Sequence, residues 1–448
     1  MQSPGWLLLL LAVLLAGGGL LTWTRAEGSH PRIDAPEAIL AGAAGTSIDL
    51  AISDAGSGLR ALRVDFVHAG GETALVTEDF PGNLLSGGTR SEHGVTLQLD
   101  PGLLGSFEGE AILRVTARDW SWRGGFDGNE SVRSVSLRVD LIAPRIEIAT
   151  GLSYARQGGS GSVSYRLSEP VVRDGVLIGE RFYRGFPRPG GSSSERIALF
   201  AIPSEASPEV RVAVIAEDAA GNASRARWPL VVQRRAMPNV NVTLNREFLE
   251  KVIGRFAGHG VDAGGDPSAA FDDINTRVRA ENEARIRQLL ADSSPEFFQG
   301  AKLEQMRNSK VTSTFGERRA YFFEGRKISN AVHFGYDLAS FAAAPVTAAA
   351  SGRVIYAGDL GIYGNCLLVD HGLGLATLYG HLSRLDVASG DRVEQGQRLG
   401  LSGDTGLAGG DHLHFAVLVG DTYVDPIEWW DVQWVRSHIT PELQTSRR

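Results

Sequence analysis

Two long stretches of the chain alternate apolar and polar residues in short runs that are separated by glycine and polar turn residues. The first stretch includes TSIDLAISD and GEAILRVTARD, and the second, after Pro144, includes GSGSVSYRLSE and EVRVAVIAED. Successive side chains of a strand point to opposite faces, so this alternation predicts strands with one buried face. Frequent turns between such strands are typical of antiparallel sandwiches. We therefore predict two β-sandwiches, over residues 27–145 and 146–236.

The apolar spacing changes between residues 237 and 308. The segments NREFLEKVIGRFAG and DDINTRVRAENEARIRQLLADSS place apolar residues three and four positions apart among charged ones, which predicts helices. Asp272 or Asp273 is expected to cap the second helix. We interpret residues 237–308 as a helical linker that leans on the next domain.

Glycine-punctuated apolar runs return between residues 309 and 431. They include SGRVIYAG, GNCLLVDHG and HLHFAVLVG. Such runs predict a domain of antiparallel β-strands. We interpret residues 432–448 as a polar tail, and the chain as a whole is predicted to be mainly β.

An uncharged apolar run extends from Trp6 to Trp23 near the N-terminus. Its length just reaches that of a membrane-spanning helix, and tryptophan is enriched at both membrane interfaces. The residues LTWTRAEG make a poor signal-peptidase site. We expect residues 1–26 to be a retained membrane anchor, with a cleaved signal peptide as the alternative.

The composition excludes some classes of protein. A net charge of −8 argues against a nucleic-acid binder, whose domain is normally basic. The single cysteine, Cys366, excludes an intrachain disulfide and a zinc site built from several cysteines. Its apolar neighbours indicate a core residue.

The histidines are concentrated in the C-terminal part of the chain. His412 and His414 are two apart, so an extended strand places both side chains on one face. His333 and Asp337, in HFGYD, are four apart and also share a side if the segment is extended. Two histidines, one carboxylate and a water form the open arrangement of a catalytic zinc site. Such a zinc site would use only one imidazole of the His412–His414 pair as a ligand, and the other imidazole would not bind the metal.

Three short motifs, HFGYD, YGHLS and HLHF, occur in this order in the C-terminal domain. In their order and spacing they resemble the lysostaphin-type (LytM-like) zinc metallopeptidases that cut peptidoglycan peptides. The long segment from AAPVTAAASG to LATLYGHLS also follows the consensus of that family. The resemblance implies an antiparallel sheet with the duplicated hybrid motif. It also implies that His333, Asp337 and His414 bind Zn²⁺, while His381 and His412 are catalytic without binding the metal.

The chain departs from the family pattern at three places. Ala343-Ala344-Pro345 stands where Gly-Thr-Pro is frequent, and Asp411 stands where a proline often precedes H-L-H. Ala416 stands where glutamate commonly follows H-L-H-F. None of these removes a ligand, but Ala416 is expected to alter the surroundings that orient an imidazole.

We expect two other histidines of this region to have structural roles. His371 is predicted to be a turn residue, and His438 is predicted to lie in the polar tail.

The endings of the two sandwich segments are similar, since each runs from an apolar strand into acidic residues and then Gly-Asn. With SDAGSGL they resemble bacterial immunoglobulin-like modules. The resemblance implies spacers that carry the C-terminal domain away from the membrane, with surfaces for other envelope proteins.

Together these resemblances imply a zinc-dependent endopeptidase that hydrolyses peptide cross-links of bacterial peptidoglycan in cell-wall remodelling. We expect it in the cell envelope, anchored in the inner membrane by its N-terminal segment, with its bulk in the periplasm. The alternative is a catalytically inactive envelope regulator that activates a peptidoglycan amidase. Which peptide bond is cut, and which of His381 and His412 is the base, stay open at this point.

Overall fold

The computed structural model describes residues 5–262, 264–298 and 302–443. The fold is mainly β, as predicted. The chain divides into two compact units, of which unit 1 is Met1–Ala143 with Glu217–Ala223 and unit 2 is Pro144–Ala216 with Ser224–Arg448. Helix α1 (Gly5–Arg25) opens unit 1. By length and composition it could cross a membrane.

The β-sandwich of unit 1 consists of two sheets around one apolar core. Strand β3 alternates exposed and buried residues, and its buried Leu50 and Ile52 share this core with Leu62, Val64 and Val115. One sheet has the order β1-β3-β8 and the other β2-β10-β9-β4-β5. The elements are β1 (Arg32–Asp34), β2 (Ala38–Ala41), β3 (Thr46–Ser53), β4 (Leu59–His68), β5 (Gly71–Asp79), β6 (Gly82–Asn83), β7 (Gly87–Gly88), β8 (Glu92–Leu99), β9 (Gly109–Asp119), the short helix α2 (Arg123–Phe126) and β10 (Glu130–Val139).

A second set of strands begins unit 2, with sheets in the orders β11-β13-β17-β16, β15-β14-β18-β19 and β12-β20. Its core includes Val163, Val176 and Val214. The strands are β11 (Ile146–Ile148), β12 (Ser153–Arg156), β13 (Ser160–Leu167), β14 (Arg173–Ile178), β15 (Arg181–Arg184), β16 (Phe186–Pro187), β17 (Glu195–Ala201), β18 (Val212–Glu217), β19 (Ala223–Ala226) and β20 (Leu230–Gln233).

The linker contains helices, but it begins with a strand that the sequence analysis did not predict. This strand, β21 (Asn239–Thr243), is followed by α3 (Arg246–Arg255), α4 (Pro267–Asp273) and α5 (Arg279–Leu290). The predicted cap at Asp272 or Asp273 is wrong. The helix already begins at Pro267, where the carboxylate of Asp266 accepts from the backbone N–H of Ser268 at 3.0 Å.

The C-terminal strands form a sheet in the order β22-β25-β33-β29-β28-β27-β31, with β34 paired to β33. Strand β21 pairs in parallel with β23, which pairs with β24. A third sheet has the order β26-β32-β30. The strands are β22 (Lys310–Ser313), β23 (Glu317–Phe323), β24 (Arg326–His333), β25 (Tyr336–Ala339), β26 (Pro345–Thr347), β27 (Gly352–Asp359), β28 (Asn365–Gly372), β29 (Leu375–Leu382), β30 (Arg384–Leu385), β31 (Arg392–Val393), β32 (Arg398–Leu401), β33 (Leu413–Val419) and β34 (Thr422–Val424).

The polar tail predicted for residues 432–448 is wrong for residues 432–443, which are mostly helical, and residues 444–448 lie outside the described residues. Helix α6 (Pro426–Trp430) precedes α7 (Val432–His438) and α8 (Thr440–Leu443). Val435 and Ile439 are buried, four residues apart as one helix face requires. These helices contact the sandwich of unit 2, where the hydroxyl of Ser162 donates to the carbonyl of His438 at 2.5 Å.

Candidate active site

Three neighbouring elements bring the predicted metal ligands together. His333 is the last residue of β24, Asp337 lies in β25 and His414 lies in β33. Asp337 and His414 are direct cross-strand partners, so their side chains project from the same face of the sheet. All three residues are buried.

The donor atoms of these residues converge on one point. Nε2 of His333 lies 3.0 Å from Oδ1 of Asp337 and 3.1 Å from Nδ1 of His414, and the last two atoms are 2.9 Å apart. A tetrahedral zinc ion with bonds of about 2.0–2.1 Å would separate its ligand atoms by about 3.3 Å. The two nitrogens and the oxygen therefore fit a zinc ion.

The orientation of His333 is set by the backbone. Its Nδ1 lies 2.9 Å from the carbonyl oxygen of Thr314. Because a carbonyl can only accept, Nδ1 carries the proton and Nε2 presents its lone pair to the cluster.

His381 and His412 border the same cluster. Their ring centroids are 4.8 Å apart, and Nε2 of His412 lies 3.6 Å from Oδ1 of Asp337. Nδ1 of His381 donates to the carbonyl of Thr405, and Nδ1 of His412 donates to that of Gly410, both at 2.8 Å. Each ring therefore has Nε2 as the nitrogen that is not bound to a backbone carbonyl, and in His412 this atom faces the Asp337 carboxylate. His381 has a positive φ of 64°, a strained conformation for this residue type.

The carboxylate of Asp337 is also held from its other side, by a residue that the sequence analysis did not identify. Nη2 of Arg319 lies 3.3 Å from Oδ2 of Asp337 and 3.0 Å from Oε2 of Glu317. Arg319 therefore engages Oδ2 while Oδ1 faces the histidines. The alternation in GERRAYF places Glu317 and Arg319 on one face of β23, but only the strand pairing reveals that this face meets Asp337.

The charge states of the cluster suit metal binding. Burial favours the neutral acid, but the surrounding imidazoles outweigh it and hold the pKa of Asp337 well below its usual range. Burial lowers the pKa of His414 to about 4 and, together with His412 and His414, lowers the pKa of His381 well below its usual value. Burial opposes the charged form of His412, but the Asp337 carboxylate raises its pKa. At neutral pH the donor set therefore offers one carboxylate and the lone pair of His414.

Gly335 lets the HFGYD segment approach β33 closely. A Cβ atom at this position would lie 2.7 Å from Cε1 of His414 and 2.7 Å from the carbonyl oxygen of Phe415. A side chain here would displace either the imidazole or the strand.

A cleft of about 470 Å³ opens over the five residues. The linker supplies part of its wall through β21, with Val240 and Val242, and through Phe248 of α3 and Phe271 of α4. The polar groups that line it include Arg279, Arg319 and Tyr363.

Helix α3 also holds the loop that supports His381. The guanidinium of Arg255 donates to the carbonyls of Asp404, Gly406 and Ala408 and to the carboxylate of Asp404. Lys251 reaches the same carboxylate at 2.8 Å. The linker therefore fixes the backbone on both sides of Thr405.

Two of the three departures from the family pattern, Asp411 and the Ala343-Ala344 segment, contact each other. The carboxylate of Asp411 accepts from the backbone N–H of Ala343 at 2.8 Å and from the hydroxyl of Ser402 at 2.5 Å. That hydroxyl in turn accepts from the N–H of Ala344 at 3.0 Å. Ala416 is buried in β33 opposite Leu378 and lies two residues from His414 in the same strand.

The other candidate residues have structural surroundings. His371 is fully buried, where Nδ1 lies 2.8 Å from the carbonyl of Ser351 and Nε2 lies 2.8 Å from the hydroxyl of Thr377. Cys366 is a buried free thiol in β28. His438 stacks on Trp434 within α7.

Comparison with known proteins matches residues 331–426 to peptidase family M23. The chain is 33% identical over 128 residues to the DD-carboxypeptidase/endopeptidase Mpg of Neisseria meningitidis, which covers 29% of each chain. It is 36% identical over 119 residues to the peptidoglycan DD-endopeptidase ShyB of Vibrio cholerae, which covers 27% of each. These matches thus span less than a third of either relative.

Among solved structures, the catalytic domain of lysostaphin from Staphylococcus simulans is 30% identical, with a TM-score of 0.23, over 28% of this chain and 92% of that one. The match to peptidase family M23 confirms the sequence resemblance to lysostaphin-type enzymes for the C-terminal part. That part of the chain, which carries HFGYD and HLHF, is a peptidase family M23 domain.

Proposed function

We propose that the protein is a zinc-dependent endopeptidase that hydrolyses the peptide cross-links of bacterial peptidoglycan. The observation that carries this proposal is the convergence of Nε2 of His333, Oδ1 of Asp337 and Nδ1 of His414 within 3.1 Å of one another. These three atoms would hold the zinc ion. A bound zinc ion supplies Lewis-acid activation of water and of the scissile carbonyl.

His381 and His412 handle the proton and the developing oxyanion. Each ring has its Nδ1 proton committed to a backbone carbonyl, so each Nε2 is the atom that can accept a proton or, once protonated, donate to an oxyanion. Their ring separation of 4.8 Å lets both serve the same peptide bond. Arg319 keeps Oδ2 of Asp337 occupied and so orients the carboxylate.

The bond that we propose is the D-alanyl cross-link. The relatives from Neisseria meningitidis and Vibrio cholerae are named for DD-endopeptidase activity, and their similarity covers the domain that carries the site. We expect the substrate peptide to bind in the cleft that opens over the five residues.

The cell envelope is the proposed location. The substrate lies outside the cytoplasm, and α1 is long and apolar enough to hold the protein in the inner membrane. We propose that the sandwiches act as spacers between the membrane and the peptidase domain and bind other envelope proteins.

The test is digestion of purified sacculi by the full-length, zinc-reconstituted protein. We expect it to release peptides cut at D-alanyl cross-links, identified by mass spectrometry, and the Asp337→Ala variant to release none. Sacculi that carry glycine bridges serve as the second substrate, and cleavage there alone would contradict the assigned bond. A zinc-loaded protein that cuts neither substrate but stimulates an amidase would overturn the proposal in favour of the regulator.

A further inference from the structure

Three carboxylates meet in unit 1, far along the chain from the peptidase site. Glu27 follows α1, Asp54 directly follows β3 and Asp119 is the last residue of β9. Each offers an oxygen atom, and these atoms lie within 4.8 Å of one another. Asp54 and Asp119 are 3% and 0% exposed. Among the described residues, no lysine or arginine forms an ion pair with any of the three.

One oxygen of this cluster has no partner. Oδ2 of Asp54 accepts from the N–H of Gly58 at 2.6 Å, but Oδ1 is buried and accepts no hydrogen bond. Burial raises the pKa of Asp54, and the charges of Asp119 and Glu27 raise it further. A buried acceptor without a donor is destabilising, so a group that satisfies Oδ1 would stabilise the fold.

We infer that Glu27, Asp54 and Asp119 form a binding site for a calcium ion. All three residues offer carboxylate oxygens, which are the preferred ligands of hard cations such as calcium. The three residues offer none of the nitrogen or sulfur ligands that would favour zinc. Calcium accepts carboxylates with irregular geometry and retains waters, whereas magnesium requires near-ideal octahedral geometry. A calcium ion would balance the negative charge of the three carboxylates and give Oδ1 of Asp54 the partner that it lacks.

The cation would fasten the segment that leads from α1 into the sandwich. This segment already contacts the loop after β9, since the hydroxyl of Ser121 donates to the carbonyl of Glu27 at 2.9 Å. In addition, the side-chain amide of Asn129 donates to the carbonyl of Ser29 at 3.0 Å. Calcium would add a link from Glu27 to β3 and β9, and the connection between helix and sandwich would stiffen.

The test is equilibrium dialysis of the full-length protein in detergent against radioactive calcium, after chelation and restoration of one equivalent of zinc. We expect one calcium per chain, with a dissociation constant of about 0.1–1 mM, as in extracellular modules. The variants Asp54→Asn and Glu27→Gln should bind at least about tenfold more weakly, because each loses a charged ligand. Glu110→Gln, at an exposed carboxylate of the same sandwich, should bind as the wild type does.

A second measurement follows trypsin cleavage after Arg25, which separates α1 from the sandwich. Calcium should slow this cleavage in the wild type and in Glu110→Gln but not in Glu27→Gln. Glu27 lies outside the apolar core, so Glu27→Gln is expected to fold. If Asp54→Asn does not fold, the calcium binding of Glu27→Gln tests the inference. Absence of saturable binding up to about 10 mM calcium, or equal binding by Glu27→Gln and wild type, would overturn the inference.

Discussion

At the scale of single residues, we propose that the candidate site separates groups that hold a metal from groups that move a proton. His333, Asp337 and His414 point their donor atoms at each other, whereas His381 and His412 keep Nε2 at the edge of the cluster. Substitutions in the two sets are therefore expected to have different effects.

Asp337→Ala removes a proposed ligand, so zinc content and cross-link cleavage should fall together. His381→Ala leaves the three donor atoms in place and should keep its zinc while the rate falls by about a hundredfold or more. Zinc analysis and cleavage of sacculi by the same preparations check both variants. An active His381→Ala, or one that loses zinc as fully as Asp337→Ala, would contradict the assignment.

Gly335→Ala tests the close approach of HFGYD to β33. The added methyl group would collide with the imidazole of His414, and displacement of that ring should weaken zinc binding by about tenfold or more. Competition with a zinc-binding dye measures this affinity. Gly358→Ala is the matched control, because its nearest contact, Oη of Tyr356, lies at an ordinary 3.4 Å. Equal affinities of the two variants would show that the contact is unimportant.

The residue-level expectations rested on local spacing. Alternation along a strand sufficed to place His412 and His414 on one face, and the spacing in HFGYD paired His333 with Asp337. The resemblance alone supplied His381. Arg319 was not found, because its contact with Asp337 depends on how β22 to β25 pair, and no local pattern encodes that pairing.

At the scale of elements, the linker is part of the site. Strand β21 extends the β23–β24 sheet, and α3 binds the loop around Thr405. Apolar spacing predicted the helix. It could not predict β21, a short strand whose parallel partner lies much later in the chain.

Arg255→Ala tests the support that α3 gives to this loop. Loss of the guanidinium frees three carbonyls and should let Thr405 and His381 move, which lowers the turnover rate by about tenfold to a hundredfold. Zinc content should stay unchanged. Lys251→Ala is the matched control, since its exposed ion pair with Asp404 is expected to contribute less than about 1 kcal/mol. Steady-state cleavage of a soluble cross-linked peptide distinguishes the variants, and equal rates would argue against the supporting role.

At the scale of the whole molecule, unit 2 joins its sandwich to the peptidase domain through the C-terminal helices. The carboxylate of Glu428 accepts from the backbone N–H of Ser160 at 2.9 Å, and the indole of Trp429 donates to the hydroxyl of Ser160 at 3.0 Å. The prediction of a polar tail over residues 432–448 missed the neighbouring contact between Ser162 and His438. Val435 and Ile439 are too few to stand out among the polar residues of that segment.

Glu428 makes the stability of unit 2 depend on pH. Burial raises its pKa from 4.5 to about 7, so between these values the folded state keeps a proton that the unfolded state has lost. Stability therefore falls as the pH rises through this window, by at most about 3 kcal/mol. Glu428→Gln cannot titrate, and its stability relative to wild type should rise between pH 4.5 and 8.

Urea unfolding at several pH values measures this difference. The exposed Glu250→Gln variant should show no such trend relative to wild type. A Glu428→Gln curve parallel to that of wild type across the window would show that the carboxyl group does not carry the effect.

The contact between Ser160 and Glu428 joins residues 268 positions apart, and that between Ser162 and His438 joins residues 276 apart. Such distant pairings form late, because a long loop must close before they can be made. A nascent chain that emerges N-terminus first would therefore present β13 before the C-terminal helices that cover it have been made. During that interval the sheet that contains β13 lacks part of its packing, so chaperones and proteases would meet the sandwich before the peptidase domain has folded.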